Sequence, residues 1–485
     1  MNYQVPQNID PNKIFLVNRS EIKGRFDPKM TLYNKKVQNA LFPMVKLKNL
    51  LLSKPQYGAN EAGLDRLNNT QPRYIRITDI DENGLISINE LGATVANVEE
   101  KYILNNNDIL IARSGATVGK TYLHKELPYT CLYAGYLIRF LVDSQKILPG
   151  YLFSYTQLNS YKEWVNAIQR PSAQPNINAE EYQSLEIPLP DLSKQKEIVV
   201  FLSDAYRKKQ QKEQQAEEIL NSIDDYLLGE LGIELPKTTT QTLQDIFFTV
   251  SIRDVRDGRF DPKLYSISVK QLKQSLYMSP FDKHSLNYFI KSNCSGEWGK
   301  DESEEVDENK HTKCLVIRAT EFDNSYNLRL DNSRVKYRWI ENSKLSRMNI
   351  QANDLLIEKS GGSEDQPVGR ISILTDEVLN GNQIAYSNFI HKITVKGVNP
   401  MYLYFYLKTM YNIKITDSMQ SQTNGIRNLI MSDYFNQTIV VPPLKMQQEI
   451  VEHISEMRAR AKKLQAEGAE VLQKAKMEVE RMILG

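Results

Sequence analysis

The sequence predicts an α+β chain: two tandem mixed α/β domains separated by two long antiparallel coiled-coil helices, related by a pseudo-twofold internal repeat. Three observations carry this. Five short landmarks occur twice in the same order, a proline-rich hinge closes the mixed region of each copy, and each hinge leads into a long polar segment with a thin apolar stripe. A repeat takes precedence over any single motif, because each copy must build its own structural unit.

The landmarks come first. Gly24-Arg25-Phe26-Asp27-Pro28-Lys29 returns letter for letter as residues 258–263, an offset of 234. Ile75-Arg76-Ile77-Thr78-Asp79-Ile80-Asp81 returns as Ile317-Arg318-Ala319-Thr320-Glu321-Phe322-Asp323, an offset of 242. Asn107-Asp108-Ile109-Leu110-Ile111 with Ser114-Gly115 returns as Asn353-Asp354-Leu355-Leu356-Ile357 with Ser360-Gly361, an offset of 246. Pro149 and Tyr151-Leu152 return as Pro400 and Tyr402-Leu403, an offset of 251. Pro190, Leu192, Gln195 and Glu197-Ile198-Val199 return as Pro442, Leu444, Gln447 and Glu449-Ile450-Val451, an offset of 252. The offset only grows, so copy two is copy one with small loop insertions. One insertion holds the acidic run 301–308, read as a solvated loop.

Each copy opens with short β-branched and aromatic runs bounded by Gly, Asn and Asp, which read as short strands with a few helices. The hinges, Ile187-Pro188-Leu189-Pro190 and Val440-Val441-Pro442-Pro443, stop the sheet and let a helix begin. In copy two Ile450, Ile454, Met457, Ala461, Leu464, Gly468, Val471 and Ala475 alternate steps of four and three, a heptad seam for one helix lying along another. Copy one supplies Ile198, Leu202, Ala205, Ala216, Ile219 and Ile223, with Lys209 and Lys212 interrupting. Ala216 and Gly468 fall at equivalent sites, where small residues allow close approach. An intramolecular antiparallel pair is expected, each helix roughly 35 residues and about 50 Å long. The expected boundaries are 1–190 for an N-terminal segment and the first domain, 191–233 for a central helix, 234–440 for the second domain and 441–485 for a final helix.

Composition narrows the function. The 485 residues are 41% hydrophobic and 25% charged, ordinary for a soluble globular protein. No apolar run is long enough for a membrane span, and residues 1–6 do not open a signal peptide, so a cytoplasmic protein without a membrane partner is expected. Cys131, Cys294 and Cys314 are too scattered for a zinc cluster or disulfide framework, and the five histidines are not paired at ligand spacing; no metal site is expected. The net charge of +2 is nearly neutral, so any DNA binding must come from local patches or be shared with partners.

Three motifs imitate chemistry. Residues 114–121, Ser-Gly-Ala-Thr-Val-Gly-Lys-Thr, nearly spell a phosphate-binding loop, but Ser114 stands where the tight turn needs glycine. Its equivalent, residues 360–371, is longer and lacks the Lys-Ser/Thr pair. Asn399-Pro400-Met401-Tyr402 resembles the Asn-Pro-Pro-Tyr loop of amino-methyltransferases without its second proline, and no glycine-rich cofactor loop accompanies it. Asp354 with Glu358-Lys359 suggests a carboxylate cluster that copy one, with Ala112-Arg113, does not repeat. No catalytic residue is assigned.

Residues suited to nucleic acid are more numerous. Lys120 and Arg370 sit in the equivalent turns, where they could neighbour a phosphate backbone. Arg334, Lys336 and Arg338 alternate along a strand-like run, which puts three cations on one side, with Tyr337 and Trp339 on the other. The same pattern suits an edge strand blunted by charge. Arg170, Gln174 and Asn176 occupy a polar loop, and copy two offers Gln420, Gln422, Asn424 and Arg427. Arginine pairs with guanine, and Gln or Asn with adenine, through two hydrogen bonds each, so such loops suit base reading as well as plain turns. Arg76 and Arg318 in the second landmark, with Arg113 and Lys359 before the repeated Ser-Gly, complete the candidate DNA-binding set.

The duplicated plan resembles the specificity (S) subunit of type I restriction-modification systems. The Arg-Phe-Asp-Pro segments, the Asn-Asp-Ile/Leu-Leu-Ile…Ser-Gly runs and the hinges carry the resemblance, above all Pro442-Pro443-Leu444-Lys445-Met446-Gln447, which is similar to the family's Pro-Pro-Leu-x-x-Gln-x-x-Ile segment. Copy one departs by placing Asp191 at the second proline. The resemblance implies two target-recognition domains, each reading half of a split sequence in double-stranded DNA, with the helices setting the unread spacer. It implies two methyltransferase (M) subunits and restriction (R) subunits as partners. S-adenosylmethionine, ATP and Mg belong to those partners, and no cofactor to this chain. It implies that this chain is a non-catalytic address, directing adenine methylation and restriction. The halves differ between their landmarks, so an asymmetric target is expected. A specificity chain of another methylation-based defence system, a nucleotide-hydrolysing enzyme using residues 114–121 and a coiled-coil scaffold stand as alternatives.

Overall fold

The fold was described from a computed structural model covering residues 16–17, 19, 27–87, 90–169, 175–236, 249–255, 262–323, 328–330, 335–363, 366–423 and 426–485. The chain divides into two units: unit 1 is Met1–Glu213 with Gln465–Gly485, and unit 2 is Gln214–Leu464. Each unit therefore contains one mixed region and a part of both long helices.

Unit 1 contains two four-stranded sheets. In the first, antiparallel throughout, the order is Gln56–Tyr57, Leu137–Phe140, Ile109–Ala112 and Thr121–Leu123. In the second it is Leu64–Asp65, Ala93–Thr94, Arg73–Ile75 and Cys131–Tyr133, with the last two strands parallel. Met44–Lys46 pairs with Glu186–Pro188 at the hinge. Unit 2 repeats all three. Its first sheet is Ile290–Ser295, Ile390–Val395, Leu355–Glu358 and Ile371–Ile373; its second is Lys300–Asp301, Lys336–Glu341, His311–Ile317 and Ile384–Tyr386, the last pair again parallel. Asp282–Ser285 pairs with Thr438–Val441 at the second hinge.

The Asn-Asp-Ile-Leu-Ile landmark owes its continuous apolar run to burial on both faces, since successive strand residues point to opposite sides. Ile109 and Ile111 enter one core with Tyr151, Tyr155, Trp164 and Tyr182, while Leu110 enters another with Ile75 and Tyr133. Leu355 and Ile357 with Tyr402 and Tyr406, and Leu356 with Ile317 and Tyr386, repeat the division in unit 2. Asn107 and Asn353 turn the chain into these strands at φ 74° and 68°, a left-handed conformation that asparagine tolerates. Asp108 and Asp354 then accept the Asn105 and Gln351 amides, each at 2.9 Å.

The first long helix runs over Leu192–Glu230 and the second over Leu444–Leu484, about 58 and 62 Å at 1.5 Å per residue and so longer than the sequence pattern indicates. Within unit 1 they are antiparallel: Lys212 bonds Glu467 at 2.5 Å, while Gly468 faces the backbone of Lys209. Ile198, Leu202 and Ala205 share a core there with Leu472, Ala475, Val479 and Ile483. Within unit 2, Ile223 and Leu227 share a core with Ile450 and Ile454, and the Tyr226 and His453 rings lie 4.3 Å apart. Ala216, Ala461 and Gly468 are buried, and Ile219, Met457 and Leu464 half-buried.

Half-buried Val471 packs against the core that the helices share in unit 1, and buried Leu472 joins it there because a 3.5-residue stripe drifts around a helix with 3.6 residues per turn. One sequence expectation needs correction. The acidic run 301–308 is not wholly a loop: Lys300–Asp301 forms a strand opposite Trp339 and Arg338. That strand also covers Arg338 and Trp339 from one side while His311–Ile317 pairs on the other, so this part of the cationic run is not a sheet edge.

Candidate nucleic-acid interface

Each strand of the Asn-Asp-Ile landmark ends in a cation. Ile109–Ala112 is followed by Arg113, and Leu355–Glu358 by Lys359. The surroundings of the two match bond for bond. The Arg113 amide donates to Tyr136 O at 3.0 Å and its carbonyl accepts the Ile177 amide at 2.8 Å; the Lys359 amide donates to Phe389 O at 2.8 Å and its carbonyl accepts the Leu429 amide at 2.8 Å. Ser114 is bridged to Asn176, and Ser360 is paired with Asn428.

The side chains at these two places differ. The Arg113 guanidinium lies over the Tyr57 ring, 4.9 Å from its centroid, and its Nε is buried without a hydrogen-bond partner. Lys359 Nζ donates to Ser295 Oγ at 3.0 Å. Tyr57 and Ser295 are themselves equivalent: each follows the residue opposite a basic strand residue, Gln56 across from Arg139 and Cys294 across from Lys392. Ser295 Oγ is 3.2 Å from His391 Nδ1, and His391 Nε2 is 2.9 Å from Asn293 Oδ1. Burial, with Lys359 nearby, pushes His391 down to about 4.

Five of the other described candidates, Arg76, Arg318, Arg338, Lys120 and Arg370, are held by intramolecular partners. Arg76 pairs with Asp79 and Arg318 with Glu321, each carboxylate also accepting the arginine's own backbone amide at 2.7 Å. Arg338 donates to Asp301 at 3.2 Å and to Gly299 O, beneath the Trp298 ring. Lys336 is exposed on the same strand. Lys120 Nζ donates to Ile80 O at 2.7 Å, tying the loop that resembles a phosphate cradle to the protein's own backbone. Arg370 is a correction: it is buried, bonded to Glu358 through two nitrogens at 2.8 and 3.0 Å, and donates to Phe322 O and Ala319 O, so its guanidinium does not face a phosphate backbone. Burial pushes Glu358 up, and Arg370 opposes that shift.

Arg427 lies half-buried in the strand Ile426–Leu429 with its Nε unpartnered, opposite the backbone of Gln422. Asn176 is exposed. Arg170, Gln174, Arg334 and Asn424, with the Gln422 side chain, lie outside the described residues, as do most residues of the two Arg-Phe-Asp-Pro segments.

The model of the type I restriction modification DNA specificity domain matches twice, at residues 58–221 and 303–472, which is most of the chain. The chain belongs to that family. Among curated proteins it is similar to the type I restriction enzyme EcoKI specificity subunit of Escherichia coli K12, 20% identical over 405 residues, 83% of this chain and 78% of that one. It is 22% identical over 417 residues to the StySPI specificity subunit of Salmonella potsdam, with the same two shares covered. Among solved structures, the HsdS subunit from Thermoanaerobacter tengcongensis aligns over 92% of this chain and 97% of its own at 13% identity, with a TM-score of 0.35.

Specificity subunits are the non-catalytic recognition subunits of these systems, and the residues that imitate chemistry here have structural duties. Asn399 caps the helix Pro400–Asn412, accepting from the Met401 and Tyr402 amides, while buried Tyr402 donates its hydroxyl to Val440 O at 2.6 Å. Tyr151 does the same to Pro188 O at 2.5 Å in unit 1. Asp354 is bonded to Lys392 at 2.8 Å and Glu358 to Arg370, so these carboxylates belong to two separate buried pairs. Among the described residues no group of three or more His, Cys, Asp or Glu could hold a metal ion, and no helix is long and apolar enough to cross a membrane.

Sequence reading missed Tyr57, Ser295, Tyr136 and Phe389. A usable signal was present: Gly58 and Gly296 follow the first two, and a Cβ on either would meet backbone oxygens at 2.2–2.4 Å. This repeated steric requirement marks the equivalent position in each copy.

Proposed function

We propose that this specificity subunit directs partner subunits to a bipartite, asymmetric site in double-stranded DNA, each unit reading one half. The adenine methylation and restriction are done by two methyltransferase (M) subunits and by restriction (R) subunits. S-adenosylmethionine, ATP and Mg belong to those partners, and the assembly works in the cytoplasm. The paired long helices set the number of unread base pairs between the half-sites.

The observation that carries this reading is a scaffold built twice with the same internal bonds but different cations at the equivalent strand ends, Arg113 and Lys359. Identical readers would serve a palindrome; different ones serve two different half-sites. Near-neutral net charge fits a subunit whose partners share the phosphate contacts.

Modified-base sequencing tests the proposal, using DNA from cells that make the partner methyltransferase with and without this chain. A split, asymmetric methylated motif is expected only when the chain is present. Identical methylation in both samples, with the partner shown to be active, would overturn the reading. Replacing residues 30–185 with the corresponding segment of another specificity subunit is expected to change one half of the motif and leave the other intact.

A further inference from the structure

The matched positions in the two units fall into two groups. The first maintains the fold in both: Gln195 and Gln447 at the hinges, Tyr151 and Tyr402 on the hinge carbonyls, Asp108 and Asp354 at the turns, all bonded within the protein. The second lies just past the central strand of the antiparallel sheet. It consists of a cation (Arg113 or Lys359), an aromatic residue on the adjoining turn (Tyr136 or Phe389) and an amide on the adjoining chain (Asn176 or Asn428). Tyr136 is 62% and Phe389 50% exposed, and neither belongs to a core cluster. Nothing in the fold requires a large aromatic at the same exposed place twice.

Arg113 stands apart within this group. Arg76, Arg318, Arg338 and Arg370 all have carboxylate partners. Among the described residues, the half-buried Arg113 guanidinium has no hydrogen-bond partner, only the Tyr57 ring beneath it. Partial desolvation without hydrogen bonds costs free energy in the unbound protein, and an acceptor that takes two N–H groups offsets it. The ring restricts the guanidinium before any ligand arrives, which lowers the entropy lost on binding.

We propose that this repeated trio is the base-reading station of each unit, and that Arg113 specifies a guanine in the half-site read by unit 1. The proposal rests on the DNA-specificity reading above and adds where the specificity lies. Guanine presents O6 and N7 in the major groove at the spacing of a guanidinium fork; Asn176 supplies the amide that matches adenine, and Tyr136 an apolar face for a thymine methyl. Unit 2 distributes the same chemistry differently. Lys359 is tied to Ser295, and a guanidinium with an unpartnered Nε stands instead at Arg427, next to Asn428 on the adjoining strand. The two stations therefore read different bases from the same framework.

The test uses the complex of this chain with its methyltransferase partner, whose motif is first defined by modified-base sequencing. Binding is then measured to a panel of duplexes, each with one base pair of that motif replaced. The unsubstituted complex discriminates at positions in both half-sites; if it discriminates at none, the DNA-specificity reading itself fails. Arg113→Ala is expected to abolish discrimination at one or two neighbouring pairs of a single half-site, a loss of roughly five- to hundredfold in selectivity. Discrimination elsewhere is expected to stay intact, which also shows that the variant is folded. A uniform loss across the panel, or no change, would overturn the proposal. Should Arg113→Ala bind nothing, Arg113→Lys decides. Binding that returns without selectivity at that position supports the station; binding with selectivity restored, or none at all, overturns it.

Discussion

Gln195 holds Leu148: its Oε1 accepts the Leu148 amide at 2.8 Å, while its Nε2 donates to Pro190 O at 2.9 Å and Lys146 O at 3.1 Å. Gln447 repeats this with the Asn399 amide at 2.9 Å and Pro442 O at 2.8 Å. The glutamine of the hinge motif thus lies buried at the start of each long helix and clamps the loop before the helix that opens with Pro149 or Pro400.

Removing either clamp leaves a buried amide and one or two carbonyls without partners, at about 1–3 kcal/mol for each unsatisfied group. Gln195→Leu and Gln447→Leu are each expected to lower unfolding stability by about 2–3 kcal/mol, read from urea denaturation. A change below about 0.5 kcal/mol in both would show that the motif is held for another reason.

Glu358 and Arg370 are buried together, with side chains 2% and 9% exposed. Arg370→Ala strands the Glu358 carboxylate away from water, a change worth about 3–5 kcal/mol when one partner of a buried pair is lost. Replacing both with apolar residues is expected to recover most of that. If Arg370→Ala instead left stability unchanged and weakened DNA binding, the residue would belong to the interface after all.

The repeat was legible because its landmarks are residues whose chemistry the backbone dictates. An asparagine at positive φ, an aspartate capping the same turn, a tyrosine on a hinge carbonyl and a buried glutamine tolerate few replacements, so they persist in both copies. The recognition surface was only partly legible. Arg113 and Lys359 could be aligned, but their partners Tyr57 and Ser295 meet them differently, one through an aromatic ring and the other through a hydroxyl, and lie more than 50 residues upstream. Arg370 was misread because burial is not visible in a turn sequence; its partner Glu358 lies on an adjacent strand. Arg76 and Arg318 could have been read as paired, since Asp79 and Glu321 follow at a spacing of three.

His124 and His391 give each unit a pH dependence of known sign. Burial lowers both from an ordinary 6.5 to about 4; His124 has the Tyr122 hydroxyl 3.1 Å from its Nδ1. Between those values the unfolded chain takes up protons that the folded chain does not, so stability is fully present above about 6.5 and falls as the pH approaches 4. The urea midpoint is expected to drop across that window. Since carboxylates titrate at its lower end, the test is the difference from His391→Asn and His124→Asn, whose midpoints are expected to fall less. Parallel curves for all three proteins would remove histidine as the cause.

Gly468 links helix packing to the proposed spacing of the half-sites. A Cβ there would meet Lys209 O at 3.3 Å and Cα at 3.4 Å, so the helices approach closely at this point and Gly468→Leu is expected to force them apart, costing about 1–3 kcal/mol. Lengthening the pair without disturbing this contact is a different operation. One heptad inserted after Glu213 and another after Leu464 preserves the seam and adds about 10 Å to each helix, the rise of about three base pairs. The methylated motif is then expected to keep both half-sites while its unread spacer grows by about three. Three base pairs also rotate the second half-site by roughly a third of a turn, so methylation is expected to slow as the complex twists to follow. An unchanged spacer with both half-sites still recognised would mean that the helices do not measure the distance.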